Sequence, residues 1–169
     1  MLPIQQDGKI GEATDFVQHQ GSSIDPNRQQ EPHAHSIMID PHNKYAFAAD
    51  LGLDKILIYQ LDLAAGKLIP NDRPWALITP GAGPRHFAFT PNGEYAYLIN
   101  ELDSTITAFT YDTSEGNLDQ IQTVPTLPSD FKNISHCADI HVSPSGKFVY
   151  GSNRGHDSLV IFKIEENGQ

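Results

Sequence analysis

One segment recurs three times along the chain, and this repeat constrains the fold more than any other feature. Its copies begin near residues 35, 85 and 138, and each contains a turn proline, at Pro41, Pro91 and Pro144. Each copy leads into a run rich in β-branched and aromatic residues, as at residues 105–109. A repeat of about fifty residues built from short strands is typical of a β-propeller, in which each repeat forms one four-stranded blade.

Local sequence predicts three strands in every repeat. In the second copy, residues 90–93 read Thr-Pro-Asn-Gly, a turn sequence in which proline presets φ and glycine accepts a positive φ. The strand at 94–100 alternates aromatic and small side chains, and the next, at 105–111, is β-branched and aromatic. A fourth, outer strand is predicted after the turns at Gly66 and Gly116. No segment has a convincing helical period, so we predict an all-β fold.

The repeats divide the chain into the parts of one partial propeller domain, residues 1–169. We predict blades at residues 33–80 and 83–128, and a blade without its outer strand at 134–166. Residues 3–20 contain a glycine turn like those of the outer strands, and we expect an orphan outer strand there. Propellers typically have four to eight blades, so about three blades do not close a ring.

Two explanations of the open ring remain. The chain is a piece of a longer protein, or two copies assemble and residues 7–20 of each complete the open blade of the other. The second explanation predicts a homodimer with a two-fold axis, because exposed blade edges favour pairing.

Composition restricts the class of partner. The formal net charge of −10 argues against nucleic acid and anionic membranes as partners. No apolar stretch approaches membrane-spanning length, and the first residues lack the basic and apolar parts of a signal peptide. The single cysteine, Cys137, excludes an internal disulfide and fits a reducing compartment. We expect a soluble cytoplasmic protein with a small-molecule ligand, which can be anionic where a few arginines converge.

Polar residues that differ between the repeats mark the candidate site. His35 and Arg85 hold the same place, six residues before the turn proline, where the chain enters the innermost strand of a blade. Glu101 and Arg154 also match, since each follows the asparagine that ends a second strand. Entries to the innermost strands line one mouth of a propeller's central channel. We therefore predict that these four residues are catalytic.

Four neighbouring polar residues are predicted to bind substrate, namely His33, His86, Asn100 and Asn153. For the two asparagines a structural role is the alternative, because Asp50 holds the equivalent place in the first repeat and all three can close turns. A metal pair at His33 and His35 lacks a third ligand at a recognisable spacing. The glycines at residues 81 and 83 precede a strand, whereas a phosphate loop precedes a helix. We predict no metal and no organic cofactor.

Several sequence segments resemble the lactonase family of seven-bladed β-propellers, and the resemblance extends over essentially the whole chain. The family includes 6-phosphogluconolactonases and a fungal 3-carboxy-cis,cis-muconate lactonizing enzyme. The matching segments are residues 32–36, 50–54, 83–86, 100–101, 138–146 and 152–155. The resemblance implies a seven-bladed ring of which this chain supplies the middle three blades. It also implies active-site positions at His35, Arg85, Glu101 and Arg154.

Hydrolysis of a sugar lactone needs an activated water, a polarised acyl carbon and a hold on the anionic part of the substrate. His35 can act as general base near neutral pH. Glu101 can do so instead if burial raises its pKa, or it can orient the histidine. Arg85 and Arg154 suit a phosphate or carboxylate and the developing oxyanion.

Three function classes follow. A lactonase acting on 6-phosphogluconolactone is the one that the resemblance favours. A muconate-type lactonizing enzyme, which is a cycloisomerase, is the second. It would use the same residues to add a carboxylate to a double bond, with His35 or Glu101 as the proton donor. A propeller without catalytic activity, serving as a binding or scaffold module, is the third.

Overall fold

Eleven β-strands and no helix make up the computed structural model, which describes all residues 1–169. The first sheet contains β1 (Ala34–Ile39), β2 (Tyr45–Asp50), β3 (Lys55–Asp62) and β4 (Lys67–Leu77). The second contains β5 (Pro84–Phe89), β6 (Tyr95–Asn100), β7 (Thr105–Asp112) and β8 (Asn117–Pro125), and the third β9 (His136–Val142), β10 (Phe148–Arg154) and β11 (Ser158–Lys163). Every pair of neighbouring strands is antiparallel, as in propeller blades, so the predicted all-β propeller fold class is confirmed. The structure contains no helix with the length and hydropathy of a membrane span.

The turn between the first two strands of each sheet is held by the residue that precedes the turn proline. A carboxylate oxygen of Asp40 accepts a hydrogen bond from the N–H of Tyr45 at 2.8 Å. In the second repeat the hydroxyl of Thr90 accepts the N–H of Tyr95 at 3.1 Å, and Ser143 does the same in the third. The repeated sequence signature therefore corresponds to a repeated hydrogen bond.

Aromatic side chains fill the space between the first two sheets. Phe47, Phe87 and Phe109 are fully buried, and the ring centroids of Phe47 and Phe87 lie 5.7 Å apart. Successive residues of a strand point to opposite faces, so Ala46 and Ala48 of β2 pack on the other side of the first sheet. Burial of this alternating pattern fixes the register of each blade.

One edge of all three sheets carries the candidate site. The inner strands β1, β5 and β9 lie next to one another. Because each inner strand is antiparallel to the second strand, its first residue pairs with the last residue of that strand. Ala34 pairs with Asp50 and Pro84 with Asn100, and β9 pairs with β10 in the same way. The residues that enter inner strands and those that leave second strands are thus gathered at one end of the inner strands.

Residues 3–20, expected to be an outer strand, form no strand in the structure. Their only ladder contact is an isolated bridge between Ile4 and Ile10. A strand needs a row of hydrogen bonds to a neighbouring strand, and the segment bonds elsewhere. Thr14 Oγ1 donates to the main-chain oxygen of Gly66 at 2.7 Å. The segment therefore runs over the outer hairpin of the first sheet.

Candidate active site

Glu101 lies at the centre of the candidate site, directly after β6, with its side chain 5% exposed. One carboxylate oxygen accepts a hydrogen bond from Arg28 Nη2 at 2.6 Å. The other accepts hydrogen bonds from Arg85 Nε at 2.8 Å and from Arg154 Nη2 at 2.9 Å. Hydrogen bonds between ionised partners are short and strong. These four residues form one unit, the arginine–glutamate cluster.

The three arginines hold Glu101 in its ionised form. Burial raises the pKa of the carboxyl group, but hydrogen bonds from Arg28 and Arg85 and the charges of Arg28 and Arg154 lower it by more. The resulting pKa is about 2, against an ordinary value of 4.5. A carboxylate with so little affinity for a proton is a poor general base near neutral pH. The alternative in which Glu101 is the base required that burial raise its pKa, and this condition is not met.

The cluster carries a surplus of positive charge. Three guanidinium groups surround one carboxylate, so two positive charges within the cluster are not compensated. Arg154 stands at the rim, with its side chain 53% exposed, and also donates to the main-chain oxygen of Cys137 at 3.1 Å. A local positive site thus exists inside a chain whose formal net charge is −10.

Arg85 is fixed on several sides. Its Nε donates a hydrogen bond to Glu101. Its Nη1 donates to Nε2 of His86 at 3.1 Å and to the main-chain oxygen of Ala138. The hydroxyl of Ser36 donates to the main-chain oxygen of Arg85 at 2.7 Å. Nη2 of Arg85 makes no hydrogen bond within the chain. The result is an immobilised guanidinium with one nitrogen left for an anionic oxygen.

His86 connects Arg85 to Asp139. Arginine can only donate, so Nε2 of His86 is the acceptor and Nδ1 carries the proton, which it donates to Asp139 Oδ1 at 2.7 Å. Nε2 of His141 lies 2.9 Å from the other oxygen of the same carboxylate. Burial raises the pKa of Asp139, but the hydrogen bonds from the two histidines outweigh it and lower the pKa. His86 therefore positions Arg85 and has no lone pair left for water.

His35 lies between two other imidazoles. Its ring stacks on His33 at 5.6 Å between centroids and meets His86 edge-on at 5.3 Å. Nε2 of His35 faces Glu101 Oε2 across 3.9 Å, too far for a direct hydrogen bond. Burial and the charge of Arg85 lower the pKa of His35 below its ordinary value of 6.5. The imidazole is therefore neutral near pH 7 and able to accept a proton.

The backbone at His33 is fixed by a buried carboxylate. Asp50 accepts the N–H of His33 at 2.8 Å, and its other oxygen lies 2.6 Å from Nδ1 of His19. Nε2 of His19 in turn lies 3.0 Å from the hydroxyl of Tyr59. His33 stacks on His35, so this chain of hydrogen bonds helps to fix the position of the His35 ring.

Asn100 and Asn153 are enclosed between the blades, so their amides do not present themselves to a ligand. The amide nitrogen of Asn100 donates to the hydroxyls of Thr105 and Thr107, at 2.9 and 3.0 Å. The amide oxygen of Asn153 accepts from the hydroxyl of Thr126 at 2.8 Å. The structure supports the alternative in which these asparagines close strand ends, and substrate binding by them does not fit their burial.

The glycine pair at Gly81 and Gly83 binds a carboxylate of the protein itself. Both residues have positive φ, 89° and 72°, which lets their N–H groups converge on Asp54. The two oxygens of Asp54 accept these hydrogen bonds at 2.7 and 2.8 Å. The loop is therefore already occupied and does not bind phosphate. No group of three or more His, Cys, Asp or Glu side chains is arranged to hold a metal ion.

Two residues of the site, Arg28 and Asp139, were not predicted from the sequence. Asp139 holds the place of Ser36 and His86 in its repeat, so the comparison of polar residues between copies could have found it. Arg28 lies in the segment before the first repeat, and no equivalent residue exists in the other copies. Only the folded chain shows that it reaches Glu101.

Comparison with known proteins found a matching family model, relatives of similar sequence and similar solved structures. The family model described as "Lactonase, 7-bladed beta-propeller" matches residues 1–169. A 6-phosphogluconolactonase of Bacillus subtilis is 37% identical over 166 residues, which are 98% of this chain and 46% of that protein. A crystal structure of a protein from Lactobacillus plantarum superposes with a TM-score of 0.92 at 36% identity, over 99% of this chain and 48% of the other.

A second structural relative introduces a question of substrate. The periplasmic gluconolactonase of Pseudomonas aeruginosa superposes with a TM-score of 0.92 at 34% identity, over 99% of this chain and 47% of that protein. The chain thus spans about half the length of the relatives it matches. Its relatives include both a lactonase named for a phosphorylated sugar lactone and one named for the unphosphorylated lactone.

Proposed function

Because the chain belongs to the lactonase family of seven-bladed β-propellers, we propose that the full-length protein hydrolyses a sugar lactone, namely 6-phosphogluconolactone, to 6-phosphogluconate. The observation that carries this proposal is the neutral imidazole of His35 beside three guanidinium groups fixed on one carboxylate. A base and an anion site side by side are what hydrolysis of an anionic ester needs.

The first step is the attack of water on the lactone carbonyl carbon. Nε2 of His35 accepts one proton of the water as its oxygen bonds to the carbon. The carbonyl π electrons move to the carbonyl oxygen, which becomes an oxyanion. The lowered pKa of His35 keeps its base form populated at neutral pH. The same shift makes the imidazolium a stronger acid, ready to return the proton in the next step.

The second step opens the ring. The oxyanion re-forms the carbonyl group, the bond between the acyl carbon and the ring oxygen breaks, and His35 returns its proton to that oxygen. The product is a hydroxy acid, and the imidazole is neutral again. No redox change occurs, and His35 shuttles one proton.

Arg85 stabilises the oxyanion in this scheme. Its Nη2 is free within the chain, while Nε and Nη1 are held by Glu101, His86 and Ala138. A donor fixed before the reaction costs no reorganisation when charge develops. Glu101 does not transfer protons, because its pKa of about 2 keeps it ionised. Its negative charge offsets part of the repulsion among the three arginines.

A lactonizing cycloisomerase and a propeller without catalysis remain alternatives, and a cytoplasmic location remains a prediction. One structural relative is a periplasmic gluconolactonase, so cell fractionation of the source organism is the measurement for the compartment. For the cycloisomerase, turnover of a carboxymuconate, with lactone hydrolysis absent, would replace the lactonase proposal.

Hydrolysis of 6-phosphogluconolactone by the full-length protein tests the proposal. We expect turnover well above the uncatalysed rate, and a loss of about 100-fold in kcat for Arg85→Gln, as for removal of one oxyanion donor. Arg73, which pairs with Asp119 on the outer strands, provides the matched control, and Arg73→Gln should keep full activity. Thermal unfolding of both variants separates loss of chemistry from loss of fold. Wild-type protein that does not exceed the uncatalysed rate would refute the lactonase proposal.

A further inference from the structure

Arg28 reaches the arginine–glutamate cluster from a turn that is built to present it. The carboxylate of Asp25 accepts the N–H of Asn27 at 2.8 Å and that of Arg28 at 3.1 Å. The next side chain, Gln29, is fully buried and donates to the main-chain oxygen of Leu51 at 2.7 Å. The turn is therefore hydrogen-bonded to the first sheet through Gln29, and it places the side chain of Arg28 against Glu101.

Arg28 is bound less completely than the other two arginines. Arg85 and Arg154 each donate to a main-chain oxygen as well as to Glu101. The guanidinium of Arg28 makes one hydrogen bond within the chain, from Nη2 to Glu101, and its side chain is 36% exposed. Its remaining N–H groups are available to a ligand, while the bond to Glu101 fixes the direction of the guanidinium.

A polar depression of about 400 Å³ includes Arg28 in its wall. It is lined by Asn27, Arg28, Gln30, Glu31, Pro32 and His33. Pro32 is the one apolar residue of the wall, and Glu31 is the single acidic one. A depression with two amides, a guanidinium, an imidazole and one carboxylate suits a phosphate or sugar hydroxyls better than an apolar group.

The depression adjoins the reacting centre through His33. This residue lines the depression, and its ring stacks on His35 at 5.6 Å between centroids. A ligand whose carbonyl group lies at His35 and Arg85 therefore has the depression one imidazole away. The cluster as a whole holds three guanidinium groups and one carboxylate, and a phosphate monoester is an anion at neutral pH.

We infer that Arg28 is the residue that selects a phosphorylated lactone, by binding the phosphate group in the depression lined by residues 27–33. The inference rests on the proposed lactonase function and adds a specificity determinant to it. In this arrangement Arg85 serves the acyl end of the substrate and Arg28 the phosphate end. An unphosphorylated sugar lactone offers Arg28 a neutral hydroxyl in place of the charged phosphate, so its hydrogen bond to Arg28 is weaker.

The test is the ratio of kcat/KM for 6-phosphogluconolactone to kcat/KM for glucono-δ-lactone, measured on the full-length protein. We expect Arg28→Gln to lower this ratio about 10- to 100-fold, as for loss of hydrogen bonds to a charged group. Arg28→Lys keeps the charge without the planar pair of donors, so its ratio should fall between those of Arg28→Gln and wild type. Arg73→Gln, on the outer strands, should leave the ratio at the wild-type value.

The outcomes separate this inference from the proposed function. If the wild type hydrolyses both lactones and Arg28→Gln lowers both values by the same factor, Arg28 supports the cluster and does not select phosphate. If the wild type hydrolyses neither lactone, the lactonase function fails by itself.

Binding supplies a second measurement that does not depend on turnover. Calorimetric titration with 6-phosphogluconate should show weaker binding to Arg28→Lys than to wild type, while Arg73→Gln should match wild type. If both variants, Arg28→Lys and Arg28→Gln, bind 6-phosphogluconate with the wild-type affinity, the phosphate site is refuted. This conclusion holds even if Arg28→Gln lowers the stability of the fold.

Discussion

Glu101 and Arg154 hold equivalent places in successive repeats, 53 residues apart, and their side chains meet at 2.9 Å between Oε2 and Nη2. The same position of the blade thus supplies a carboxylate in one copy and its counterion in the next. Arg85, which enters the inner strand of the same blade as Glu101, adds a second guanidinium at 2.8 Å. The geometry of the repeat, more than any local motif, assembles the charged centre.

Replacement of Glu101 by glutamine should destabilise the fold. The pKa of Glu101 is about 2 in the folded chain and 4.5 ordinarily, so its ionised form contributes about 3 kcal/mol to the free energy of unfolding near neutral pH. We expect Glu101→Gln to lose about this amount in urea unfolding. Glu12→Gln, at an exposed glutamate without a partner, is the matched control and should change stability little. Equal stability of the two variants would contradict the role given to Glu101.

The lowered pKa of Glu101 also predicts how the free energy of unfolding depends on pH. Its pKa is lowered by folding, so its contribution is complete above about pH 4.5 and is lost as the pH falls toward 2. The free energy of unfolding of the wild type should therefore fall across this window more steeply than that of Glu101→Gln. Parallel curves for the two proteins between pH 4.5 and 2 would show that Glu101 keeps its ordinary pKa when folded.

His35 should titrate below pH 6.5. Burial and the charge of Arg85 disfavour its protonated form, so kcat/KM should decline on the acid side with a midpoint below 6.5. An NMR titration of the His35 ring gives the same pKa without turnover. In Arg85→Gln the pKa should rise, because one of the causes of the shift is removed, whereas Arg73→Gln should leave it unchanged. A midpoint above 6.5 in the wild type would exclude His35 as the base of this scheme.

Asp139 should act on catalysis through His86 and Arg85. In Asp139→Asn the negative charge that holds Nδ1–H of His86 is lost, and we expect kcat to fall roughly tenfold, about 1.4 kcal/mol. Nitrogen NMR shifts of His86 should show a mixture of tautomers in the variant and the Nδ1–H tautomer in the wild type. His141→Gln is the control, since His141 contacts the same carboxylate from the solvent side. Unchanged tautomer and rate in Asp139→Asn would show that Arg85 holds His86 by itself.

A homodimer that closes the ring through residues 7–20 remains a prediction, and the solution mass tests it. In the structure this segment is engaged with its own chain, as shown by the hydrogen bond from Leu68 N–H to the carboxylate of Asp15 at 2.8 Å. Dimerisation would exchange such contacts between copies. Light scattering should give twice the 18.6 kDa of the chain if the prediction holds. A mass of 18.6 kDa would refute it.

The blade architecture could be predicted from sequence because its signals are local. The residues before the turn prolines, Asp40, Thr90 and Ser143, each hold the turn by a bond to an N–H close by in the chain. The expected strand at residues 3–20 has a glycine turn as well, but a strand also depends on a neighbour. Local turn chemistry says nothing about whether that neighbour is present.

The site could be predicted in part for a similar reason. His35, Arg85, Glu101 and Arg154 were found because polar residues at equivalent positions of a repeat face one mouth of a propeller. The protonation state of Glu101 could not be predicted, because its pKa depends on guanidinium groups that come from three separate segments. Arg28 belongs to one of these and carries no repeat signal.

The three arginines around Glu101 come from distant parts of the chain: the turn at residues 25–29, the start of β5 and the end of β10. One carboxylate thus joins the edges of all three sheets. Local opening of any of these segments would remove a partner of Glu101, so fluctuations of the sheet edges and disruption of the site are coupled.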